Sequence, residues 1–325
     1  MGRTLTYAIL LFKLPEGHPR VMVITTMSYD HLTTEQSHPG SRRLDRLTTR
    51  QLLRLMNRED ARAIQAVTPQ LAYVARAIEI IVAALRQQGR LFFVGAGTSG
   101  RLGVIEAAEC PPTFHTPPSM IQAIIAGGPR AVFRSQEGAE DDRPSARRII
   151  RQRVRAGDVV VGIAASGVTP FVEEALKIAT RLGARTILIT CAKHSPIPAE
   201  VRITLFVGPE VLTGSTRLKA GTATKLVLNM LTLGAMVRLG KTYDNLMVDV
   251  RPTSNKLRAR ARGIIQTLTG CSPRQAQTAL STARGRVKVA VLMLASHVTA
   301  QTAQRQLTKT HRSLRTALQI LDGSR

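Results

Sequence analysis

Residues 91–100 read LFFVGAGTSG, an apolar run that passes directly into a glycine-rich loop. The apolar residues at 91–94 predict a buried strand, and the window at 101–109 has a composition able to form a helix. A glycine-rich loop between a strand and a helix turns backbone N–H groups towards an anion. The stretch therefore predicts an α/β fold with an anion site where this strand ends.

The alternation of apolar run and helical window continues along the chain. Windows at 139–154 and 170–182 can form helices, and further apolar runs predict strands at 121–125, 159–164, 186–190 and 203–207. Repeated strand and helix units predict a parallel sheet covered by helices on both faces. Ligands of such sheets bind at the carboxyl ends of the strands.

Helical periodicity also flanks the predicted sheet. Apolar residues recur at helical spacing between residues 46 and 88, a long helix is predicted from 216 to 239, and short helices follow it. We therefore divide the chain into an extension, an N-terminal helical segment, an α/β domain and a C-terminal helical subdomain, at residues 1–27, 28–85, 86–255 and 256–325. The extension shows no amphipathic period, which fits a disordered tail or a start codon assigned too early.

The chain carries 46 Lys and Arg residues against 21 Asp and Glu residues, a formal net charge of +25. A basic excess of this size is typical of proteins that bind a phosphate backbone. Here the excess is spread along the chain, and aromatic residues, which would stack bases, make up only 3% of it. We interpret the charge as a solvated basic surface and do not expect a nucleic-acid partner.

Three cysteines, Cys110, Cys191 and Cys271, form neither a CxxC pair nor a cluster with histidines. Such a set predicts no disulfide framework and no zinc site, and it is typical of a reducing compartment. No apolar stretch approaches the roughly 20 residues that a membrane helix needs. We therefore expect a cytoplasmic protein with no membrane partner and no metal.

The loop at 95–100 fits two kinds of phosphate ligand. GAGTSG satisfies the G-x-G-x-x-G pattern of dinucleotide sites, but the next predicted strand ends in Ala-Gly-Gly, where such a site would have an acidic residue. Gly97, Thr98 and Ser99 instead offer backbone and hydroxyl donors that suit a phosphomonoester. We favour a sugar phosphate, with a dinucleotide or a purely structural turn as the alternatives.

A second loop of the same character, ASGVTP at 165–170, follows the predicted strand at 159–164. Its predicted phosphate-binding residues are Ser166, Gly167 and Thr169. Ser and Thr at such positions are more often helix caps, which is the alternative for both loops. Two such loops on neighbouring strands favour the binding role.

Five stretches closely resemble the bacterial N-acetylmuramic acid 6-phosphate etherases: residues 95–114 (GAGTSGRLGVIEAAECPPTF), 137–142 (EGAEDD), 162–171 (GIAASGVTPF), 208–225 (GPEVLTGSTRLKAGTATK) and 245–257 (NLMVDVRPTSNKL). The resemblance implies the sugar isomerase (SIS) fold for residues 86–255. It also implies a cytoplasmic homodimer that acts on N-acetylmuramic acid 6-phosphate without a metal or redox cofactor. Residues 269–296 resemble the small, ubiquitin-associated-like helical piece that closes these enzymes.

The resemblance also assigns two catalytic carboxylates. Glu109, in AECPPTF, matches the family's proton donor, and Glu140, in EGAEDD, matches its second catalytic residue. A base can remove the acidic hydrogen at C2 of the open-chain sugar, while an acid must protonate the lactyl oxygen before it leaves C3. Water then adds at C3, giving N-acetylglucosamine 6-phosphate and D-lactate. We assign protonation of the lactyl oxygen to Glu109, although the sequence does not divide the two roles.

An acid must stay protonated near pH 7, so one of the two glutamates should have a raised pKa. Glu109 should lie where Pro111 and Pro112 stop its helix. The alternative is that both glutamates are ordinary surface carboxylates.

Four further positions carry expectations from the resemblance. Lys219 or Lys225 is predicted to supply a cation to the phosphate, and each could equally be a surface charge. Val168 stands where the family commonly has Arg, which removes a guanidinium from the second loop. His115 stands where the family usually has Gly, and we interpret it as incidental.

Two other functions are compatible with the SIS fold. The related glucokinase regulatory protein binds fructose phosphates without catalysis, so a non-catalytic regulator that senses sugar phosphates is the main alternative. A ketose-aldose isomerase fits the ECPPTF and EGAEDD motifs less well.

Overall fold

The computed structural model describes residues 5–13, 19–27 and 32–323. Its first element is an antiparallel hairpin of β1 (Leu5–Lys13) and β2 (Pro19–Met27), which the sequence analysis did not predict. The proposed extension lies outside the described residues at 1–4 and 14–18. Residues 28–31 of the proposed N-terminal helical segment also lie outside the described residues.

Five parallel strands form the central sheet: β3 (Leu91–Gly95), β4 (Ile121–Ile125), β5 (Val159–Ile163), β6 (Arg185–Thr190) and β7 (Val201–Thr204). Their order across the sheet is β4-β3-β5-β6-β7. Every residue of β3 and β5 is buried, which is why these strands have continuous apolar sequences. The predicted parallel sheet is confirmed.

The last strand lies earlier than the predicted position 203–207. Thr204, the last residue of β7, pairs with Thr190, which is also the last residue of β6, so the pairing stops where the partner strand ends. Leu205 and Val207 are buried without belonging to the strand. Their burial explains the apolar pattern that misplaced the prediction.

The α-helices of the described residues are α1 (Thr49–Val67), α2 (Leu71–Arg86), α3 (Gly97–Phe114), α4 (Arg130–Phe133), α5 (Arg143–Arg153), α6 (Pro170–Arg181), α7 (Lys219–Arg238), α8 (Asn255–Thr269), α9 (Pro273–Thr282), α10 (Val287–Ala295), α11 (Ala300–Lys309) and α12 (Leu314–Gly323). α5 begins later than the predicted window 139–154. Residues 139–141 form a 3-10 turn, and the Asp142 carboxylate accepts a hydrogen bond of 2.9 Å from the Ser145 N–H to cap α5.

α3 does not stop at Pro111 and Pro112, so that prediction is wrong. Both prolines lie in the last turn of the helix, where the fixed φ of proline is already helical and only two backbone donors are lost. The helix ends at His115, whose φ of 52° is left-handed and whose N–H donates to the Pro111 carbonyl at 3.0 Å.

Helices cover both faces of the sheet. Alternation along β3 directs Phe93 towards a cluster with α1, α2, α3 and α7, and Phe92 towards a cluster with α5 and α6. α7 packs against α1, α2 and α3. The N-terminal helices therefore share the core of the sheet.

Two stretches of the described residues are long and apolar enough to cross a membrane by length and composition, namely Thr49–Arg86 and Lys219–Arg238. The expectation that no stretch approaches this length is therefore wrong. The first stretch consists of α1 and α2 joined by a 3-10 turn that contains Pro69. The second is α7, and its place among three other helices is that of a core helix.

α8 to α12 form a C-terminal helical subdomain with an apolar core of its own, which confirms the predicted subdomain. Val248 and Val250, from the segment that leads into α8, join this core. The segment from residue 241 to 254 therefore connects the α/β domain to the helical subdomain.

Candidate active site

The strand order creates a crevice between β3 and β5. The chain passes from β3 to β4 on one side and then returns to β5 on the other side of β3. α3 and α6, which follow these two adjacent strands, pack on opposite faces of the sheet. Their first turns therefore flank the crevice at the carboxyl ends of the strands.

The first loop holds the start of α3 tightly against the sheet. A Cβ at Gly100 would lie 2.6 Å from Ile125 Cγ1 and 2.7 Å from the Gly95 carbonyl oxygen, so only glycine fits. Gly97 has a left-handed φ of 51°, and the space that its Cβ would occupy is open. A ligand can therefore approach the backbone at Gly97 closely.

The second loop is equally constrained. Gly167 has a φ of 76°, and a Cβ there would lie 2.8 Å from Ala192 Cβ. The Ser195 hydroxyl donates to the Gly167 carbonyl at 2.6 Å. The loop between β5 and α6 is thus fixed by its neighbour, the loop that follows β6.

Both helices begin without a side-chain cap. The residues at the N-cap positions are Ala96 for α3 and Thr169 for α6, and neither side chain bonds to the first turn. By contrast, Thr48 caps α1 and Ser254 caps α8. The cap alternative therefore fails for Thr169. α2 and α10 also begin without a side-chain cap, but the starts of α3 and α6 lie at the carboxyl ends of the strands, where an external anion can reach their first-turn N–H groups.

Glu140 lies in the 3-10 turn between α4 and α5, and this turn packs against α6. Burial raises the pKa of the Glu140 carboxyl, and the carboxylates of Asp141, Glu137 and Glu35 raise it further. Glu35 reaches this neighbourhood from the N-terminal segment, and its Oε2 would lie 3.1 Å from a Cβ at Gly214. A raised pKa is thus present at Glu140, which is not the glutamate that the sequence analysis chose as the acid.

Glu109 lies on the exposed surface of α3, twelve residues after Gly97. At about 1.5 Å per residue, this spacing places it about 18 Å along the helix from the first loop. Glu106, three residues earlier, is buried and accepts hydrogen bonds from Asn229 Nδ2 at 2.7 Å and from the Thr232 hydroxyl of α7. The structure therefore does not bring Glu109 to the loop that begins its own helix.

The two candidate lysines lie in different surroundings. Lys219 is buried, with Nζ 2.7 Å from Glu59 Oε2, and the same oxygen lies 3.0 Å from His38 Nε2. His38 Nδ1 accepts a hydrogen bond from the Gly40 N–H at 3.1 Å. The imidazole proton is therefore on Nε2, which donates a hydrogen bond to the Glu59 carboxylate. Lys225 is exposed on α7.

A carboxylate of the same chain already binds the first-turn N–H groups of α7. The buried Glu210 carboxylate accepts hydrogen bonds from the N–H groups of Lys219 at 3.3 Å and Ala220 at 2.9 Å. The sequence analysis missed Glu59, His38 and Glu210. No local pattern marks them, because their partners are up to 160 residues distant.

Comparison with known proteins gives two family matches, a glucokinase regulatory protein N-terminal SIS domain over residues 73–180 and a SIS domain over residues 142–234. The N-acetylmuramic acid 6-phosphate etherase of Gloeothece citriformis is 51% identical over 89% of this chain and 95% of its own length. The etherase of Gloeobacter violaceus is 57% identical over 81% of this chain and 87% of its own. The chain belongs to the N-acetylmuramic acid 6-phosphate etherase family.

A more distant member of the etherase family, that of Geobacillus thermodenitrificans, is 46% identical over 89% of this chain and 99% of its own length. The resemblance noted in the sequence and the SIS-type fold are both confirmed. At the carboxyl edge of its sheet, this etherase-family chain combines two uncapped helix starts with a carboxyl of raised pKa. That set of groups can hold a phosphate and exchange a proton.

Proposed function

We propose that this chain cleaves the D-lactyl ether of N-acetylmuramic acid 6-phosphate, giving N-acetylglucosamine 6-phosphate and D-lactate. The observation that carries the proposal is its 51% and 57% identity to curated etherases over most of both chains. The uncapped starts of α3 and α6 support it, because a sugar phosphate needs such donors. The same identities disfavour the non-catalytic regulator.

The phosphate lies against the two loops, held by backbone N–H groups and by the hydroxyls of Thr98, Ser99, Ser166 and Thr169. Lys225 adds a cation from α7. Lys219 acts indirectly, because its ammonium is engaged by Glu59.

Glu140 acts as the base. Its raised pKa means a higher proton affinity, which favours removal of the C2 hydrogen of the open-chain sugar. The electron pair forms a double bond between C2 and C3 as the bond from C3 to the lactyl oxygen breaks. Glu109 protonates that oxygen, and D-lactate leaves.

The second half of the reaction uses the same groups in reverse. The Glu109 carboxylate takes a proton from water as the water oxygen bonds to C3. The protonated Glu140 returns a proton to C2. Both carboxyls end in their starting states, so the cycle is closed.

The protein acts as a homodimer in which Glu109 serves the partner's site. The distance of about 18 Å along α3 separates Glu109 from its own phosphate loop. Ile105, one turn before Glu109 on the same face of α3, is 54% exposed, and Leu233 and Val237 of α7 are 52% and 46% exposed. This apolar face is the surface on which a second copy packs.

Incubation of the protein with N-acetylmuramic acid 6-phosphate tests the activity. We expect stoichiometric release of D-lactate, measured with D-lactate dehydrogenase. Absence of release, under conditions in which a known etherase is active, would overturn the proposal.

A mixed dimer tests the sharing of the site. Glu109→Gln and Glu140→Gln chains, each with a different affinity tag, are co-expressed and purified through both tags. If Glu109 acts in the partner's site, the mixed dimer has one site with both glutamates and regains activity that neither parent dimer has. If both glutamates act within one chain, the mixed dimer stays inactive.

The reaction belongs in the cytoplasm. All three cysteines are free thiols, two of them buried, which fits a reducing compartment.

A further inference from the structure

A cavity of about 270 Å³ lies between the SIS-type domain and the C-terminal subdomain. Three parts of the chain line it: His115 at the end of α3, the connecting segment around Asp249, and the helical subdomain through Lys288 and Arg312. α3 is 18 residues long, which puts His115 about 27 Å from the loop that begins the helix. The cavity is therefore separate from the phosphate loops of the same chain.

The charge inside this cavity is unbalanced. Four cationic side chains line it, Lys241, Arg286, Lys288 and Arg312, against the single carboxylate of Asp249. Lys241 and Lys288 are only 8% and 4% exposed. Two buried ammonium groups thus share one carboxylate, which is costly unless a further anion compensates them.

The hydrogen bonds show which cation is left over. Lys288 Nζ donates to Asp249 Oδ2 at 2.8 Å, to the Gly240 carbonyl at 2.7 Å and to the Arg312 carbonyl at 2.8 Å, which uses all three donors. Lys241 Nζ has one polar contact among the described residues, the same Asp249 oxygen at 3.2 Å. Two of its donors are therefore unused beside the cavity.

The electrostatic potential at His115 also reflects an excess of positive charge. Burial lowers the pKa of His115, and the positive charges of Arg251, Lys241 and Arg312 lower it further, while Asp249 opposes them.

We infer that the cavity binds a phosphate-type oxyanion, between Lys241, His115 and Arg312. The bound anion joins the end of α3 to the helical subdomain. It thereby steadies the part of α3 that carries Glu109.

Calorimetry with inorganic phosphate tests the inference. The background is a Ser99→Ala, Ser166→Ala variant, in which loss of two hydroxyls weakens phosphate binding at the loops. We expect the cavity to bind phosphate in this background, and a weakening of at least tenfold at that site when His115→Gly and Arg312→Gln are added. Glycine suits the left-handed backbone at 115, and the melting temperature of each variant checks its fold. No binding in the background variant, or binding that the two substitutions do not weaken, would overturn the inference.

Two further measurements sharpen the result. An anion beside His115 must raise the pKa of its imidazole, which NMR titration of the background variant measures with and without phosphate; an unchanged pKa contradicts the site. Glucose 6-phosphate is then compared with inorganic phosphate. Tighter binding of the sugar phosphate identifies a phosphorylated sugar as the ligand, and equal binding identifies free phosphate.

Discussion

At its first turn, α3 packs on β3 and β4 so closely that Gly100 admits no side chain, whereas about one and a half turns before its end the same helix exposes Glu109. At the first turn of α3, all the groups of the loop come from one chain, and a ligand has open access to the backbone N–H donors. The other end offers a carboxylate beside an exposed apolar residue, Ile105. The difference is the basis of our proposal that one end of α3 binds ligand for its own chain while the other end supplies a carboxylate to a partner chain.

Substitutions at Glu106 and Glu109 should give the largest effects, and they test the comparison between the two ends of α3. Glu109→Gln should lower kcat by about 10³-fold, because a positioned acid contributes about 10² to 10⁴, while the melting temperature stays unchanged. Glu106→Gln should instead lower the free energy of unfolding by about 1–3 kcal/mol, since its carboxylate accepts from Asn229 and Thr232 inside the core.

Steady-state kinetics and urea unfolding on both variants measure these effects. If Glu109→Gln lost stability rather than turnover, the exposed end of α3 would be structural. The assignment of the acid to Glu109 would then fail.

Lys219 and Lys225 test the same contrast on α7. Lys219→Met leaves the Glu59 carboxylate buried without its ammonium partner, which should cost about 3–5 kcal/mol of stability. Lys225→Met removes an exposed cation and should raise KM severalfold with little change in unfolding. A rise in KM without loss of stability in Lys219→Met would restore Lys219 as a direct phosphate ligand.

A substitution at Val168 should improve substrate binding rather than weaken it. Val168→Arg returns a guanidinium to the second loop, and a charge-assisted contact with the phosphate should lower KM by about 3- to 10-fold. Val168→Gln has a polar side chain without the charge and is the matched control. Equal KM values for the two variants would show that position 168 does not face the phosphate.

Glu137 should give the smallest effect, a shift of the pH profile. Glu140 must be ionised to act as a base, so kcat/KM falls as the pH drops through its raised pKa. Glu137→Gln removes one of the carboxylates that raise this pKa, and the acidic limb should move to lower pH. Asp45→Asn, an exposed carboxylate outside the group that acts on Glu140, should leave it in place. A shift of the alkaline limb instead would make Glu140 the acid.

Local patterns predicted the parts of the molecule that local forces decide. The strands around Phe92 and Val161 are buried on both faces, so their apolar runs were sufficient evidence. The role of the glycines in the two loops could also be predicted, because each glycine is required by local steric contacts.

The remainder depends on contacts between distant parts of the chain. Glu59 and Lys219 meet across 160 residues, and no spacing rule connects them. The end of α3 was misplaced because Pro111 and Pro112 predict a stop, whereas the helix continues through both prolines to Phe114.

Glu210 finally decides which helix starts remain open to a ligand. By placing its own carboxylate on the first turn of α7, the protein occupies the N–H groups of Lys219 and Ala220. The starts of α3 and α6 carry no side-chain cap. Of these three helix starts, two are therefore open to an anion from outside the chain.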